Sequence, residues 1–279
     1  MALRLESVGD RVFTWPRAGT LADDLSALAG QVRQLRAAGP LTGVGVAMPA
    51  TLDARGRVTA WPTRPSWTGL DLAGVLTDLF GATPVRLADD GDLAALAEAD
   101  ELGCADLVYA GVGTGIGGGI VLAGRPVPGP GRGSCELGHV VVDLHGARCD
   151  CGRRGCVQAE ASGPATLRRA AAAAGAPVTF DQLRSGFRDG TPWAVTAVGQ
   201  GCAALAAALA GAAELVRPEV IVIGGGFAAA LPGYVDEVAR RLARLARPGH
   251  PPAPVRPARL GDRSSLHGAM LAARGALDG

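Results

Sequence analysis

Apolar residues recur in this sequence at two spacings, every second position in some segments and every third or fourth in others. Alternation around the turn signal Gly9-Asp10 predicts a β-hairpin over residues 3–15. A first amphipathic helix is predicted from its cap at Thr20 to about Ala38. The apolar face of that helix consists of Leu21, Leu25, Leu28, Val32 and Leu35.

The same spacings predict the remaining elements. In the N-terminal half they are strand 43–48, a hairpin-like segment 51–61, a loop rich in Trp and Pro at 61–69, helix 70–81, strand 84–88 and helix 92–102. In the C-terminal half they are strand 106–112, glycine loop 113–119, strand 119–123, a mainly helical region 161–250 interrupted by strand 219–223, a proline-rich connector 248–257, a last short strand, and helix 264–277. Strands that alternate with helices indicate an α/β protein with mostly parallel sheets, and the similar order of elements in the two halves suggests two related lobes.

Composition narrows the possible functions. With 279 residues the chain is long enough for two lobes, and its net charge of +1 gives no electrostatic reason to expect nucleic acid or a membrane as partners. An uninterrupted apolar stretch of the length of a membrane span does not occur. The chain contains no lysine, which excludes a Walker-type phosphate loop because that loop places a lysine on the phosphates.

Four potential metal ligands are concentrated in one short segment. His139, Cys149, Cys151 and Cys156 have the spacing His-x9-Cys-x-Cys-x4-Cys, in a chain with six cysteines and four histidines. One nitrogen and three sulfurs form a closed tetrahedral set for zinc, so the metal is expected to be structural. The clustering favours a zinc site over four unrelated residues. Thiols used as metal ligands are typical of a reducing compartment, which predicts a cytoplasmic protein.

The glycine-rich loop at 113–119 is a candidate phosphate site. Gly113, Gly115 and Gly117 leave backbone amides without side-chain cover, and Thr114 adds a hydroxyl. A tight hairpin without a ligand is the alternative. The loop also contains Gly-x-Gly-x-x-Gly, but a strand rather than a helix is predicted to follow, which argues against a dinucleotide site.

A second glycine turn follows the predicted strand 219–223. Gly224, Gly225 and Gly226 precede a helix, and such a turn suits a nucleotide lying on bare backbone. Any strand–turn–helix unit can also use glycine, so this feature alone has little specificity.

Three carboxylates are candidates for chemistry. Asp89 and Asp90 occur where a predicted strand ends and a helix begins. Such aspartates often cap helices, but a carboxylate there can also act as a general base at the mouth of a cleft. Glu136 lies three residues before His139, so zinc on one ring nitrogen would orient both side chains and leave the other nitrogen free for a hydrogen bond.

Taken together, these segments resemble the ROK family of actin-like sugar kinases, from about Gly43 to the C-terminus. The resemblance is carried by the following segments: the glycine loop 113–119, the ligand segment 136–156, residues 161–164, and 220–226 with 260–273. It implies an α/β, two-lobed actin-like ATPase (ribonuclease H-like) fold. Its N-terminal lobe would be residues 1–90 joined by helix 264–277, and its C-terminal lobe would be residues 91–263 with a zinc-stapled loop at 139–156.

The resemblance also implies roles for individual residues. Asp90 aligns with the catalytic aspartate, which deprotonates the sugar hydroxyl that attacks the γ-phosphorus of Mg-ATP. Asp89, Glu136, His139 and Gln158 align with residues that bind the sugar. The two glycine turns align with the nucleotide-binding loops. A homodimer is the assembly that the family implies.

Four departures from the family pattern change the expectation. The first strand of the family, with its Asp-x-Gly-Gly-Thr phosphate loop, is absent, although leaving it out would unpair a central strand and open a hole in the core. We therefore expect Met1 to be an internal methionine of a longer product. The Asn-Asp pair of the family is Asp89-Asp90, its second sugar-binding glutamate is Gln158, and the asparagine of the Trp/Pro loop is Thr63. Altered donors and acceptors predict an unusual sugar or a cyclitol rather than glucose.

The sequence thus predicts an ATP-dependent sugar kinase with a structural zinc ion. The alternative is a catalytically impaired member that binds a sugar or a protein partner, which the missing loop and the altered sugar contacts favour. A transcription repressor of the family would need an N-terminal helix-turn-helix, for which the segment before the first predicted strand has no room.

Overall fold

The computed structural model describes residues 2–5, 9–12, 19–61, 63–129 and 132–278. The N-terminal part contains β1 Ala2–Leu5, β2 Gly9–Val12, α1 Leu21–Ala37, β3 Val44–Met48, β4 Thr51–Leu52, β5 Val58–Ala60, α2 Leu72–Phe80, β6 Val85–Asp89 and α3 Asp90–Leu102. The C-terminal part contains β7 Leu107–Val112, β8 Ile116–Leu122, β9 Arg125–Val127, α4 Val157–Ala161, α5 Gly163–Ala174, α6 Phe180–Arg188, α7 Pro192–Val216, β10 Val220–Gly224, α8 Gly226–Ala229, α9 Tyr234–Ala243, β11 Val255–Pro257 and α10 Ser264–Ala273.

A five-stranded mixed sheet with the order β11-β10-β7-β8-β9 forms the centre of the C-terminal part. Strands β11, β10 and β7 are parallel, whereas β8 and β9 return antiparallel. The two faces of β7 belong to different cores because side chains alternate along a strand. Val108 and Ala110 pack with α7, and Leu107 and Tyr109 pack with α3 and α10. The sheet is therefore covered by helices on both faces.

Helix α7 is the longest helix of the described residues and forms the centre of the larger core. Its length and composition also match those of a membrane-spanning helix. However, it packs against α4, α5, α6 and α9, and Leu205 and Leu209 are completely buried. These contacts are those of a core helix, in which an apolar surface on several sides is buried by protein.

The N-terminal part is built from smaller sheets. In the described residues β3 pairs with β6 in parallel, while β1–β2 and β4–β5 form separate antiparallel pairs. The fully buried carboxylate of Asp24 in α1 accepts hydrogen bonds from Arg64 Nη1 (2.6 Å) and Trp67 Nε1 (2.9 Å). This contact fixes the Trp/Pro loop against α1.

Most predicted elements are confirmed within a few residues, including the cap of α1, where Thr20 and Asp23 bond reciprocally. The position predicted for the hairpin turn, Gly9-Asp10, is wrong, because Gly9 begins β2 and pairs with Leu5. The predicted residues 13–15 lie outside the described residues. The last short strand lies at 255–257, inside the predicted proline-rich connector.

The glycine loop is also shorter than predicted, because β8 begins at Ile116 rather than at 119. Gly119 lies within this strand, where a Cβ atom would be 2.5 Å from both Ala95 Cβ and the carbonyl oxygen of Gly91. Gly119 therefore permits close packing of α3 on β8, a role that the sequence pattern did not reveal.

Candidate functional site

The two glycine turns lie next to each other at one edge of the central sheet. Strands β7 and β10 are parallel neighbours, with Gly111 opposite Gly224, so the turns that follow them meet at the carboxyl ends of the strands. Open α/β sheets bind ligands at this edge. The first turn covers residues 113–115 and is closed by a bond from Gly113 N to Gly115 O of 2.9 Å, with Thr114 exposed.

The second turn requires glycine for two reasons. Gly225 has φ +88°, and a Cβ atom there would lie 2.4 Å from both the nitrogen and the oxygen of Val112. Gly224 is buried against the Tyr109 hydroxyl, whereas Gly226 is exposed with open space around it. The backbone at Gly224 and Gly225 therefore packs directly against β7, whereas the backbone at Gly226 leaves an uncovered surface beside the first turn.

Gly117 differs from the other predicted nucleotide-binding residues. It lies in β8, paired with Gly111, rather than in a loop. Its backbone is exposed, and a Cβ atom at this position would have no other atom within 4 Å. The candidate phosphate surface is thus the 113–115 turn with the first residues of β8, not a free loop of seven residues.

Asp89 and Asp90 lie at the junction of β6 and α3. Asp89 is the N-cap of α3, and its Oδ1 accepts a hydrogen bond of 2.8 Å from Gly91 N. Asp90 is the first residue of α3, and its carbonyl oxygen accepts a bond of 2.9 Å from the Ser265 hydroxyl of α10. Both aspartates are half-buried, and the cap role falls to Asp89.

A third aspartate at this junction, Asp92, was not predicted from the sequence. It is 5% exposed, and its Oδ1 accepts a hydrogen bond of 3.2 Å from Cys135 N. This bond ties the start of α3 to the segment that carries Glu136. Glu136 itself is exposed and accepts a bond of 2.8 Å from the Ser134 hydroxyl. The available signal for Asp92 was its position in the acidic run 89–92, directly before the apolar residues of the helix.

Burial and neighbouring carboxylates raise the pKa values of two aspartates at this junction, Asp89 and Asp92. Burial raises the pKa of Asp89 to about 7, with a further contribution from Asp90, Asp92 and Glu136. Burial likewise raises the pKa of Asp92 to about 7, and Glu136 and Asp90 add to it. Burial also raises the pKa of Asp90 above its usual value. The charge effects on Asp89 and Asp92 thus come from other carboxylates, so Asp89, Asp90, Asp92 and Glu136 form a strongly acidic cluster, called the acidic pocket below.

The four predicted metal ligands converge on one point. Their ligand atoms all lie within 4.8 Å of one another. Cys149 Sγ is 3.7 Å from His139 Nδ1, and Cys151 Sγ is 3.6 Å from Cys156 Sγ. Zn–S bonds of about 2.3 Å at a tetrahedral angle place two sulfurs roughly 3.8 Å apart, so these spacings fit a zinc ion.

The orientation of His139 connects this cluster with the acidic pocket. Its Nδ1 faces the thiols, and its Nε2 lies 3.9 Å from Glu136 Oε2. The backbone N–H of Arg153 lowers the pKa of the Cys151 thiol to about 6, which favours the thiolate that a metal requires. A metal held by Nδ1 therefore leaves Nε2 directed towards Glu136.

The predicted sugar-binding residue Gln158 lies against the first glycine turn. Its Oε1 accepts a hydrogen bond of 3.1 Å from Ile116 N, at the start of β8. The side chain thus contacts the first glycine turn directly.

Comparison with known proteins places these features in a family. A sequence profile described as the ROK family matches residues 16–276. The kanosamine kinase of Amycolatopsis mediterranei (strain S699) is 53% identical over 279 residues, which cover 98% of this chain and 92% of that protein. The structure is similar to that of a ROK hexokinase from Thermus thermophilus, with a TM-score of 0.84, 34% identity, and coverage of 95% of this chain and 90% of that chain. It is also similar to a ROK family glucokinase from Streptomyces griseus in complex with glucose and AMPPNP, with a TM-score of 0.78, 26% identity, and coverage of 95% and 91%.

Proposed function

Because this chain belongs to the ROK family, we propose that it transfers the γ-phosphoryl group of ATP to a hydroxyl of a hexose-like sugar. Its fold is the two-lobed actin-like fold of ROK sugar kinases, and its enzyme class is that of a carbohydrate kinase. The observation that supports the mechanism is the half-buried Asp90 at the start of α3, between Asp89 and Asp92, both of which also interact electrostatically with Glu136.

Asp90 is the general base of the proposed reaction. Its carboxylate takes the proton of the sugar hydroxyl while the hydroxyl oxygen forms a bond to the γ-phosphorus. The bond from that phosphorus to the bridging oxygen breaks, and ADP leaves with the electron pair. Burial raises the pKa of Asp90, which makes its carboxylate a stronger base than an exposed aspartate.

The backbone of the two glycine turns supports the phosphate side of the reaction. Phosphoryl transfer depends on positioning and on stabilisation of the negative charge that spreads over the phosphoryl oxygens. The turn at 113–115 exposes Thr114, and the adjoining surface of 224–226 is uncovered at Gly226. A nucleotide with its phosphates on the first turn and its base near the second fits this edge of the sheet.

The metal that fits the His139, Cys149, Cys151 and Cys156 cluster is zinc. When bound, a four-ligand zinc ion supplies no open coordination position, so it contributes structure rather than chemistry. The protein groups that it would fix are His139 and, through the 3.9 Å approach, Glu136. These two side chains offer one donor or acceptor nitrogen and two acceptor oxygens to sugar hydroxyls.

A coupled ADP-release assay with Asp90→Asn tests the base. The variant keeps the shape of the side chain but cannot take a proton, so kcat is expected to fall by about 10²–10⁴-fold with sugar binding retained. Asp100→Asn, on the exposed side of the same helix, serves as the matched control and should leave kcat unchanged. An unchanged kcat in Asp90→Asn would remove Asp90 from the mechanism. A wild-type protein that binds the sugar and releases no ADP would favour the non-catalytic alternative.

For the acceptor we propose a sugar that carries an amino group. An ammonium group suits a pocket in which Asp89 lies among Asp90, Asp92 and Glu136, because each bound positive charge relieves the repulsion between carboxylates. The similarity to a kanosamine kinase, an enzyme named for an amino sugar, supports the same conclusion. An asparagine in place of Asp89 would provide the cap of α3 but not the charge.

A substrate panel tests this specificity. We expect kcat/KM to be higher for kanosamine than for glucose or a cyclitol. Asp89→Asn should lower the preference for kanosamine over glucose, measured as the quotient of the two kcat/KM values, by roughly tenfold or more, because a charged hydrogen bond is worth about 1.5–3 kcal/mol. Asp71→Asn, at the exposed cap of α2, is the control. Preference for a neutral sugar or cyclitol in the wild type would contradict the amino-sugar proposal and leave the kinase proposal intact.

A further inference from the structure

The short helix α4 lies between the metal ligands and the first glycine turn. Cys156 is its N-cap, and Gln158 and Glu160 are its half-buried polar residues. Successive helical residues are rotated by about 100°, so positions 156 and 160 share one side and position 158 lies on the opposite side. One turn of helix therefore presents different side chains to two functional segments.

The side of α4 that carries residues 156 and 160 faces the segment 139–156, which contains the four potential ligands and is called the metal loop below. Cys156 is a member of the ligand cluster. The carboxylate of Glu160 accepts a hydrogen bond of 2.6 Å from Ala147 N and forms an ion pair with Arg169 of α5. The loop is thus joined to α4 by a ligand and by a charged hydrogen bond.

The opposite side of α4 faces the glycine turn. Gln158 Oε1 accepts the bond from Ile116 N, and a Cβ atom at Gly115 would lie only 2.9 Å from the same oxygen. A few residues later, Gly163 N donates a bond of 2.9 Å to Gly113 O. Both ends of the turn are therefore held by the segment that begins with α4.

We propose that Gln158 is a positioning residue for the first glycine turn, and that α4 transmits the order of the metal loop to the nucleotide side of the site. The inference rests on the proposed function in one respect, namely that this turn binds the phosphates of ATP. It assigns Gln158 to the nucleotide side, whereas the family resemblance assigned it to the sugar. The metal would then support nucleotide binding as well as the placement of Glu136 and His139.

A Gln158→Met variant tests the role of the side chain. Methionine has a similar length but no oxygen, so Ile116 N loses its acceptor. We expect the affinity for Mg-AMPPNP, measured by calorimetry, to fall by about tenfold while the KM for the sugar changes by less than about twofold. Gln200→Met, the same change at an exposed position of α7, should alter neither.

The opposite result would overturn the proposal. A raised sugar KM with unchanged AMPPNP affinity would assign Gln158 to the sugar, and no change in either would leave it without a positioning role. Gln158→Glu keeps an acceptor oxygen, so hydrogen exchange of the Ile116 amide in nucleotide-free protein should be slow in this variant and fast in Gln158→Met. Wild-type protein that binds no AMPPNP would instead contradict the proposed function.

Hydrogen exchange after metal removal tests the transmission through α4. In chelator-treated full-length protein, we expect amides at 113–116 to lose protection together with those at 140–156, while β10 keeps its protection. Loss confined to 140–156 would show that the metal loop and the glycine turn are independent. Should the chelated protein unfold as a whole, the same exchange measurement on untreated Cys151→Ser, which lacks one ligand, replaces chelation: loss at 113–116 together with 140–156 supports the transmission, and loss confined to 140–156 overturns it.

Discussion

Asp92 illustrates how a buried carboxylate can serve a site at the expense of stability. It is 5% exposed in a stretch of α3 whose residues from Gly91 to Ala99 are all buried. Its hydrogen bond from Cys135 N holds the segment with Glu136 against α3. Burial and the neighbouring carboxylates raise the pKa of Asp92 to about 7, so its ionised form is unfavourable in the ligand-free protein.

The raised pKa gives a pH dependence with a definite sign. A group whose pKa is raised on folding contributes stability at low pH, and this contribution is lost as the pH rises through the folded value of about 7. Asp92→Asn removes the charge but keeps an acceptor oxygen. We expect it to raise the free energy of unfolding by roughly 2–4 kcal/mol more at about pH 8 than at about pH 5, measured by urea titration without ligands. The exposed Asp100→Asn should show no such pH dependence, and an equal effect of Asp92→Asn at both pH values would refute the argument.

The metal loop and the second glycine turn are each held by a small number of local features. In the loop, four potential ligand atoms lie within 4.8 Å of one another, so a bound metal would replace the apolar core that so short a segment cannot form. In the turn, Gly225 combines a positive φ with contact to β7. Each element is therefore sensitive to a single substitution.

Cys151→Ser is expected to remove the metal from the loop. Serine is a poor zinc ligand, so zinc affinity should fall by more than roughly 100-fold. Mutation of residues that only hydrogen-bond to the ligands already lowers metal affinity by about 10–100-fold. Metal analysis after dialysis and limited proteolysis at 140–160 measure the result. Cys104→Ser, outside the cluster, controls for the loss of a thiol. Zinc retained at full occupancy in Cys151→Ser would exclude this ligand set.

Gly225→Ala is expected to destabilise the sheet by roughly 2 kcal/mol or more. The added methyl group would meet the backbone of Val112 at 2.4 Å in a conformation, φ +88°, that alanine rarely adopts. Gly226→Ala, one residue further, meets open space and should change the free energy of unfolding by less than about 0.5 kcal/mol. Chemical denaturation of both variants separates a local steric effect from a general intolerance of the turn.

Helix α3 connects the acidic pocket with the C-terminal end of the chain. It packs against β8 on one side and α10 on another, and α10 also packs against β3. The fully buried carboxylate of Glu98 accepts bonds from Arg259 N (2.8 Å), Leu260 N (3.0 Å) and the Ser264 hydroxyl (2.7 Å). The helix that begins with Asp90 is thereby fixed along its length by residues more than 160 positions away. The division into lobes at residues 90 and 263 stays a prediction.

Glu98→Gln should destabilise the whole fold rather than the site alone. The amide turns one acceptor oxygen into a donor that faces a backbone N–H, which leaves buried donors without a partner and costs roughly 2–4 kcal/mol. Glu101→Gln lies on the exposed side of the same helix and should cost less than about 0.5 kcal/mol. Thermal unfolding followed by circular dichroism measures both variants. Equal unfolding temperatures for the two would show that the three hydrogen bonds to Glu98, the clamp at this residue, do not stabilise the fold.

The homodimer and the cytoplasmic location remain proposals for the whole molecule. Val140, Val141 and Leu144 of the metal loop expose apolar side chains, as do Leu215 and Leu245 elsewhere. Sedimentation equilibrium gives the assembly state, and a monomer at micromolar concentration would contradict the predicted dimer.

Local sequence was sufficient for those features whose partners are near in the chain. The metal ligands fall within eighteen positions, the cap of α1 within four, and the periodicity of most helices and strands was visible directly. The family resemblance, carried by such local motifs, is confirmed together with the fold. Short-range geometry is strongly constrained by dihedral angles and ligand chemistry, which explains why these features could be predicted without a structure.

Tertiary packing decided the features whose partners are distant. The bond between Asp92 and Cys135, the contact of Gln158 with the first glycine turn, and the clamp at Glu98 join residues that are more than forty positions apart. The packing of Gly119 under α3 and the early start of β8 belong to the same group. Residue type and spacing predict which groups are able to form hydrogen bonds, but only the packed chain selects one partner among many, since burial and distance determine which polar groups meet.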